Sequence, residues 1–300
     1  MGRLAAAQCR ALLACLAASA IGARAVATEC VESPGRVLRA CVSVDGSIAH
    51  EWFAGQYMVR YHQKVVEAAA AHHIAIDTHE PVKDTGLRRT WPNMISREGA
   101  RGQEYNAWAR PTSSPDHLTI LPFTRMLSGP MDFTPGIFDV TFGHAQINER
   151  VQSTIATQLA EYVVLYSPIQ MAADLPENYR PRPDAFRFIE DVPTDWETSR
   201  TLDAVIGEYV VVARLERGGH DWYLGAITNG TARSLDVALA FLQQGARYEA
   251  QIYRDGPGAD YRTNPESLAI ERRIVGRGDR LKLAHAPGGG QAVRFRRLAG

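Results

Sequence analysis

Near residue 201 the chain changes texture, and no single fold class accommodates both sides of that break. Beyond it, β-forming runs at 209–213, 222–227, 235–242, 248–253, 281–284 and 292–295 are punctuated by Gly218-Gly219, Asn229-Gly230, Asp255-Gly256 and Gly288-Gly289-Gly290. Short strands broken by turn dipeptides predict an antiparallel β-sandwich of roughly 100 residues. Ahead of the break the period is helical. Phe53, Tyr57, Met58, Tyr61, Val65, Ala68 and Ala69 recur at three- and four-residue intervals, which predicts an amphipathic helix over 52–73. Ile74-Ala75-Ile76-Asp77 follows as a short buried strand, and helix then strand is the unit of an α/β architecture.

Residues 81–148 are rich in glycine, proline and aromatic residues without clean periodicity. Irregular stretches of that length inside a domain tend to carry a site. A second helix is predicted over 148–167, where Val151, Ile155, Leu159 and Val163 stand four apart and Pro168 ends the run. Residues 176–193 read as a proline-rich connector, with Tyr179, Phe186, Phe188 and Ile189 packed on the side of the α/β domain.

Composition narrows the function classes. The 33 basic and 33 acidic residues cancel to zero net charge, so no bulk attraction to nucleic acid or to an anionic membrane is expected. No apolar run is long enough for a transmembrane helix. Arg3 and Arg10 precede an apolar stretch over 11–22 that ends in Ala23-Arg24-Ala25, the order of a secretory signal peptide over 1–25, which predicts a periplasmic or secreted protein. The other reading of this leader is an alanine-rich non-native extension. Cys9, Cys15, Cys30 and Cys41 all fall in the first 41 residues, which excludes a cysteine-based zinc site from the body of the chain.

Within the irregular region stand Glu80, Glu98 and Glu104. Glycosidic bond cleavage needs one carboxylic acid to protonate the leaving oxygen and a second carboxylate as base or nucleophile. Three glutamates supply both roles and a ligand for a hard cation, or else they are surface charges paired with Arg88, Arg89, Arg97 and Arg101. Trp91 and Trp108 are open to two readings, a stacking face for a pyranose ring or buried core. Asp132 is a polar site residue or a loop cap.

The wording of the segment goes further than its spacing. Residues 78–93, THEPVKDTGLRRTWPN, and 96–106, SREGARGQEYN, closely resemble the catalytic signature of glycoside hydrolase family 97. LPFTRM at 121–126 and SGPMDFTPG at 128–136 are similar to that family too, as is the β-rich tail with WYLGAIT at 222–228. The resemblance covers about four fifths of the chain, from Gly55 on. It implies a (β/α)8 barrel followed by a C-terminal antiparallel β-sandwich, acting on α-glucosides or α-galactosides with bound Ca2+. By position it implies Glu104 as general acid, Glu80 and Glu98 as calcium ligands with Glu80 also the general base, and His79 as a substrate contact, with His117 either a second substrate contact or a satisfied loop hydrogen bond. Glutamate rather than glycine after the histidine is the pattern of the inverting branch. Asp45, the nearby candidate for a retaining nucleophile, sits in Ser43-Val44-Asp45-Gly46, which matches the retaining pattern poorly.

The expected organisation is therefore a partial (β/α)8 (TIM) barrel over 26–200 and a β-sandwich over 201–300. Eight βα units take about 250 residues, and only about 170 precede the sandwich here. The resemblance also implies an N-terminal sandwich that this sequence does not supply. An open barrel exposes strand edges, and self-association through them is expected. The expected function is calcium-dependent, inverting hydrolysis of terminal α-glucosides or of an oligosaccharide. The competing readings are a retaining α-galactosidase and an inactive remnant that only binds carbohydrate.

Overall fold

The computed structural model describes residues 55–79 and 82–299. The leader, the four cysteines, Asp45 and Glu80 lie outside the described residues. The chain divides into two compact units that meet between Met94 and Ile95.

In the first unit the predicted amphipathic helix is α1 (Gln56–Ala71), with Val66 and Ala69 buried on its apolar face. It ends where His73 turns into the left-handed region at φ 55°. The predicted strand is β1 (Ile76–Thr78), shifted two residues from the sequence reading. Asn93 stitches the unit together. Its side-chain amide donates to Val66 O at 3.1 Å and Ile74 O at 3.3 Å, and its main-chain carbonyl accepts from Ile76 N at 2.7 Å. A one-turn helix α2 (Leu87–Thr90) starts after Gly86, whose φ of 84° favours glycine, and Asp84 accepts from Gly86 N at 2.9 Å.

The second unit takes in most of β2 (Met94–Arg97), the short helices α3 (Tyr105–Trp108) and α4 (Pro115–Ile120), and the longer α5 (Ile155–Val164). Helices α6 (Pro176–Tyr179) and α7 (Pro183–Asp191) follow, and then eight strands. These are β3 (Trp196–Val205), β4 (Tyr209–Glu216), β5 (Trp222–Thr228), β6 (Arg233–Ala238), β7 (Arg247–Asp255), β8 (Leu268–Gly276), β9 (Arg280–His285) and β10 (Gly290–Arg297). Six of them form an antiparallel sheet in the order β3-β4-β5-β10-β7-β8, and β6 pairs with β9 in a separate ribbon.

Side-chain alternation sorts the large sheet into two cores. Val210, Val212, Tyr223, Ile227 and Tyr253 face the cluster that contains α5, while Val211, Trp222, Leu224, Ile252 and Phe295 face Leu281 and Leu283 of the ribbon. Every residue of β5 is accordingly buried, since both faces of the strand are covered. Helix α5 sits close because a Cβ at Gly225 would stand 2.6 Å from Ala160 O. Thr154 caps α5, accepting from Thr157 N at 3.3 Å, so the helix starts seven residues later than its apolar spacing suggested.

The connector read at 176–193 is instead largely helical. Pro183 opens α7, where a missing N–H costs nothing. Phe188 meets the rings of Tyr253 at 5.2 Å and Tyr223 at 6.2 Å, in a core cluster that also holds Ile155 and Leu159 of α5, so the C-terminal sheet and the preceding segment both pack on it. Among the described residues no helix is long and apolar enough to cross a membrane.

Candidate functional site: the carboxylate turn at residues 98–106

The segment that carries Glu98 and Glu104 is held almost wholly by its neighbours. Arg125 supplies the main clamp, donating Nε to Glu98 O at 2.7 Å and Nη2 to Arg97 O at 2.7 Å and Pro130 O at 3.1 Å. Its Nη1 reaches Gly129 O at 3.2 Å and Ser128 Oγ at 3.2 Å. A planar guanidinium with five N–H donors can satisfy that many carbonyls at once, which an ammonium cannot. Arg97 N–H groups add a second tie to Ser128 Oγ at 2.9 Å, and Asp132 N donates to Arg97 O at 3.0 Å.

Glu104 is the N-cap of the one-turn helix α3. It is exposed, whereas Gly102, Gln103 and Asn106 around it are buried. Gln103 N donates to Phe133 O at 2.8 Å, and its side-chain amide donates to Gln158 Oε1. Asn106 donates to Gln103 Oε1 at 3.2 Å and accepts from Ser113 N at 2.9 Å. The buried polar residues fix the turn and leave Glu104 as the carboxylate presented outward.

A carboxylate oxygen of Glu98 and one of Glu104 lie within 4.8 Å of each other. Glu98 lies over Gly102, where a Cβ would stand 3.5 Å from Oε1. Like charges at that distance repel, and a proton or a hard cation between them relieves the repulsion. Carboxylate oxygens are the donor type that calcium prefers, so the pair fits that ion as a partial ligand set.

The other predicted residues fall as follows. His79 is exposed, one residue past β1 in the first unit, and Glu80 lies outside the described residues. His117 hydrogen-bonds through Nε2 to Arg101 O at 2.9 Å, and desolvation lowers its imidazole below the usual value. Its observed contact thus steadies the same turn. Asp132 is buried. Trp108 is 62% exposed and meets Tyr105 with ring centroids 4.1 Å apart, so the core reading fails for it. Arg101 covers the Tyr105 ring at 4.1 Å. Sequence reasoning missed Arg125, Gln103 and Gln158, although Arg125 lies within LPFTRM and Gln103 within SREGARGQEYN.

Residues 7–100 match a family model described as glycoside hydrolase 97. Residues 195–296 match one described as glycosyl-hydrolase 97 C-terminal, oligomerisation. A retaining alpha-galactosidase of Bacteroides thetaiotaomicron is 36% identical over 251 residues, covering 80% of this chain and 36% of that protein. A glycoside hydrolase family 97 enzyme from Pseudoalteromonas sp. strain K8, solved in complex with acarbose, is 55% identical with a TM-score of 0.79. The match covers 82% of this chain and 38% of that one, and the complex with panose matches equally. The chain therefore spans between a third and two fifths of the length of these relatives.

Proposed function

The chain belongs to glycoside hydrolase family 97, and from that premise we propose that it carries the acid and the base of a calcium-dependent α-glycosidase site. The observation that carries this reading is the approach of Glu98 and Glu104 within 4.8 Å on a turn whose flanking residues are buried and hydrogen-bonded. In this reading Glu104 protonates the glycosidic oxygen as the C1–O bond breaks. Glu80 takes a proton from the water that attacks C1 from the opposite face, and the new C1–OH has inverted configuration. His79 contacts the sugar, and His117 keeps the turn in place through Arg101.

Glu98 and Glu80 would hold calcium, and the ion when bound supplies a fixed positive charge that orients sugar oxygens. The N-terminal part belongs in this reading to a (β/α)8 barrel and residues 1–25 to an export signal. The C-terminal match to a model described as oligomerisation supports self-association.

Terminal α-glucosides are the proposed substrates, supported by a 55% identical relative that binds acarbose and panose. A second reading, retaining hydrolysis of α-galactosides, is favoured by the name of the relative that is 36% identical. Proton NMR of the first sugar released separates them. β-Glucose appearing first from an aryl α-glucoside supports the proposal, and α-galactose appearing first from the galactoside supports the second reading.

A further inference from the structure

The geometry points to Gln158 as the positioning residue for Glu104. The inference rests on the acid role given to Glu104 above and adds a residue 54 positions away that holds it. Gln158 lies fully buried on α5. Its Oε1 accepts three hydrogen bonds, from Gln103 Nε2 and from Gly136 N and Ile137 N at 3.0 Å each. Two of those donors are backbone amides, which cannot reverse their polarity, so the orientation of the Gln158 amide is fixed. Its Nε2 then donates to Ser153 Oγ at 2.9 Å and Glu161 Oε1 at 3.0 Å.

Glu161 is wholly buried, and desolvation raises its carboxyl well above the usual range. One side chain thereby joins the residue next to Glu104, the 136–137 backbone and a helix seated on the C-terminal sheet. A buried amide with every contact made is costly to displace. Catalysis by a proton donor depends on its placement to within about 1 Å, and misplacement by that much costs about a hundredfold in rate. Gln158 acts through Gln103, and touches no reacting atom itself.

The test compares Gln158→Leu, which removes all five bonds, with Gln158→Glu, which keeps an acceptor for Gln103, Gly136 and Ile137. Gln103→Met, which cuts the arm to the turn together with the bond from Asn106 to Gln103 Oε1, stands in if Gln158→Leu does not fold, with Asn106→Leu as the control for that second bond. Amide hydrogen exchange is followed at residues 102–107 and at β5 and β10, and kcat and KM are measured on alkyl α-glucoside and α-galactoside, whose leaving group needs the acid. Gln158→Leu or Gln103→Met is expected to speed exchange at 102–107 at least tenfold while β5 and β10 keep wild-type protection. It is also expected to lower kcat ten- to a hundredfold with KM within twofold, and Gln158→Glu to recover most of both.

Unchanged exchange at 102–107, an equal rise throughout the sheet, or wild-type kcat despite faster exchange overturns the inference. Should the wild-type chain turn over neither substrate, the acid role of Glu104 fails, and exchange alone decides whether Gln158 places the turn.

Discussion

Arg125 Nε donates to the backbone carbonyl of Glu98 at 2.7 Å, so the main chain of the proposed calcium ligand is held by this guanidinium. The same guanidinium holds Arg97 O, Gly129 O and Pro130 O. Arg125→Ala strands several part-buried carbonyls at once and is expected to cost about 2 kcal/mol or more. Arg125→Lys is expected to recover little, since an ammonium cannot reproduce the planar fork. Chemical denaturation of the two variants measures this, and wild-type stability in either contradicts it.

The close approach of α5 to the sheet depends on Gly225. A Cβ there would stand 2.6 Å from Ala160 O and 2.8 Å from Val163 Cβ, both on a fully buried helix. Gly225→Ala is expected to lower stability by about 1–3 kcal/mol through overpacking. Thermal unfolding should fall by several degrees, and an unchanged Tm would show that α5 can shift without cost.

Two buried groups give stability opposite dependences on pH. Burial pushes the Asp255 carboxyl up to about 6, with bonds from Thr154 Oγ1, Ala286 N and Gly290 N opposing the shift. Its folded value lies above the unfolded one, so its contribution is full below about pH 4 and is lost as pH rises through 6. Burial lowers His285 to about 4 from 6.5, so its contribution is full above 6.5 and is lost as pH falls through 4. Between pH 4 and 6 the two slopes oppose each other. Asp255→Asn is expected to expose a fall in stability toward acid, and His285→Gln a fall toward neutral pH. Denaturation midpoints from pH 4 to 7 test this, and parallel curves for wild type and both variants would refute it.

How much of this was legible beforehand follows from where solvent lies. The α1 helix and strands β4, β5, β7, β9 and β10 show in the sequence because one or both faces meet a core and impose a period. Strands β3 and β8 went unread. They are the two edges of the large sheet, and Glu271-Arg272-Arg273 at the centre of β8 are exposed on both faces, so no apolar alternation marks them. Helix α7 did carry a signal, Pro183 at its first turn with Asp184 behind it, but its prolines were read as punctuation.

At the candidate site the glutamates were legible through a long motif. Their supports were not. The bond from Gln103 to Gln158 joins residues 55 apart, and nothing local to either sequence position announces it.

The central claim is that Glu104 is the acid of a calcium-dependent glycosidase site. The direct measurement is release of free sugar from methyl α-glucoside and methyl α-galactoside, whose alkoxide leaving group must be protonated, by the purified, folded chain, with calcium and with chelator, beside Glu104→Gln. The account predicts release that needs calcium and falls at least about a hundredfold in the variant, the usual loss when general acid catalysis is removed. Equal release by Glu104→Gln, or none from either substrate by the wild-type chain, would contradict it.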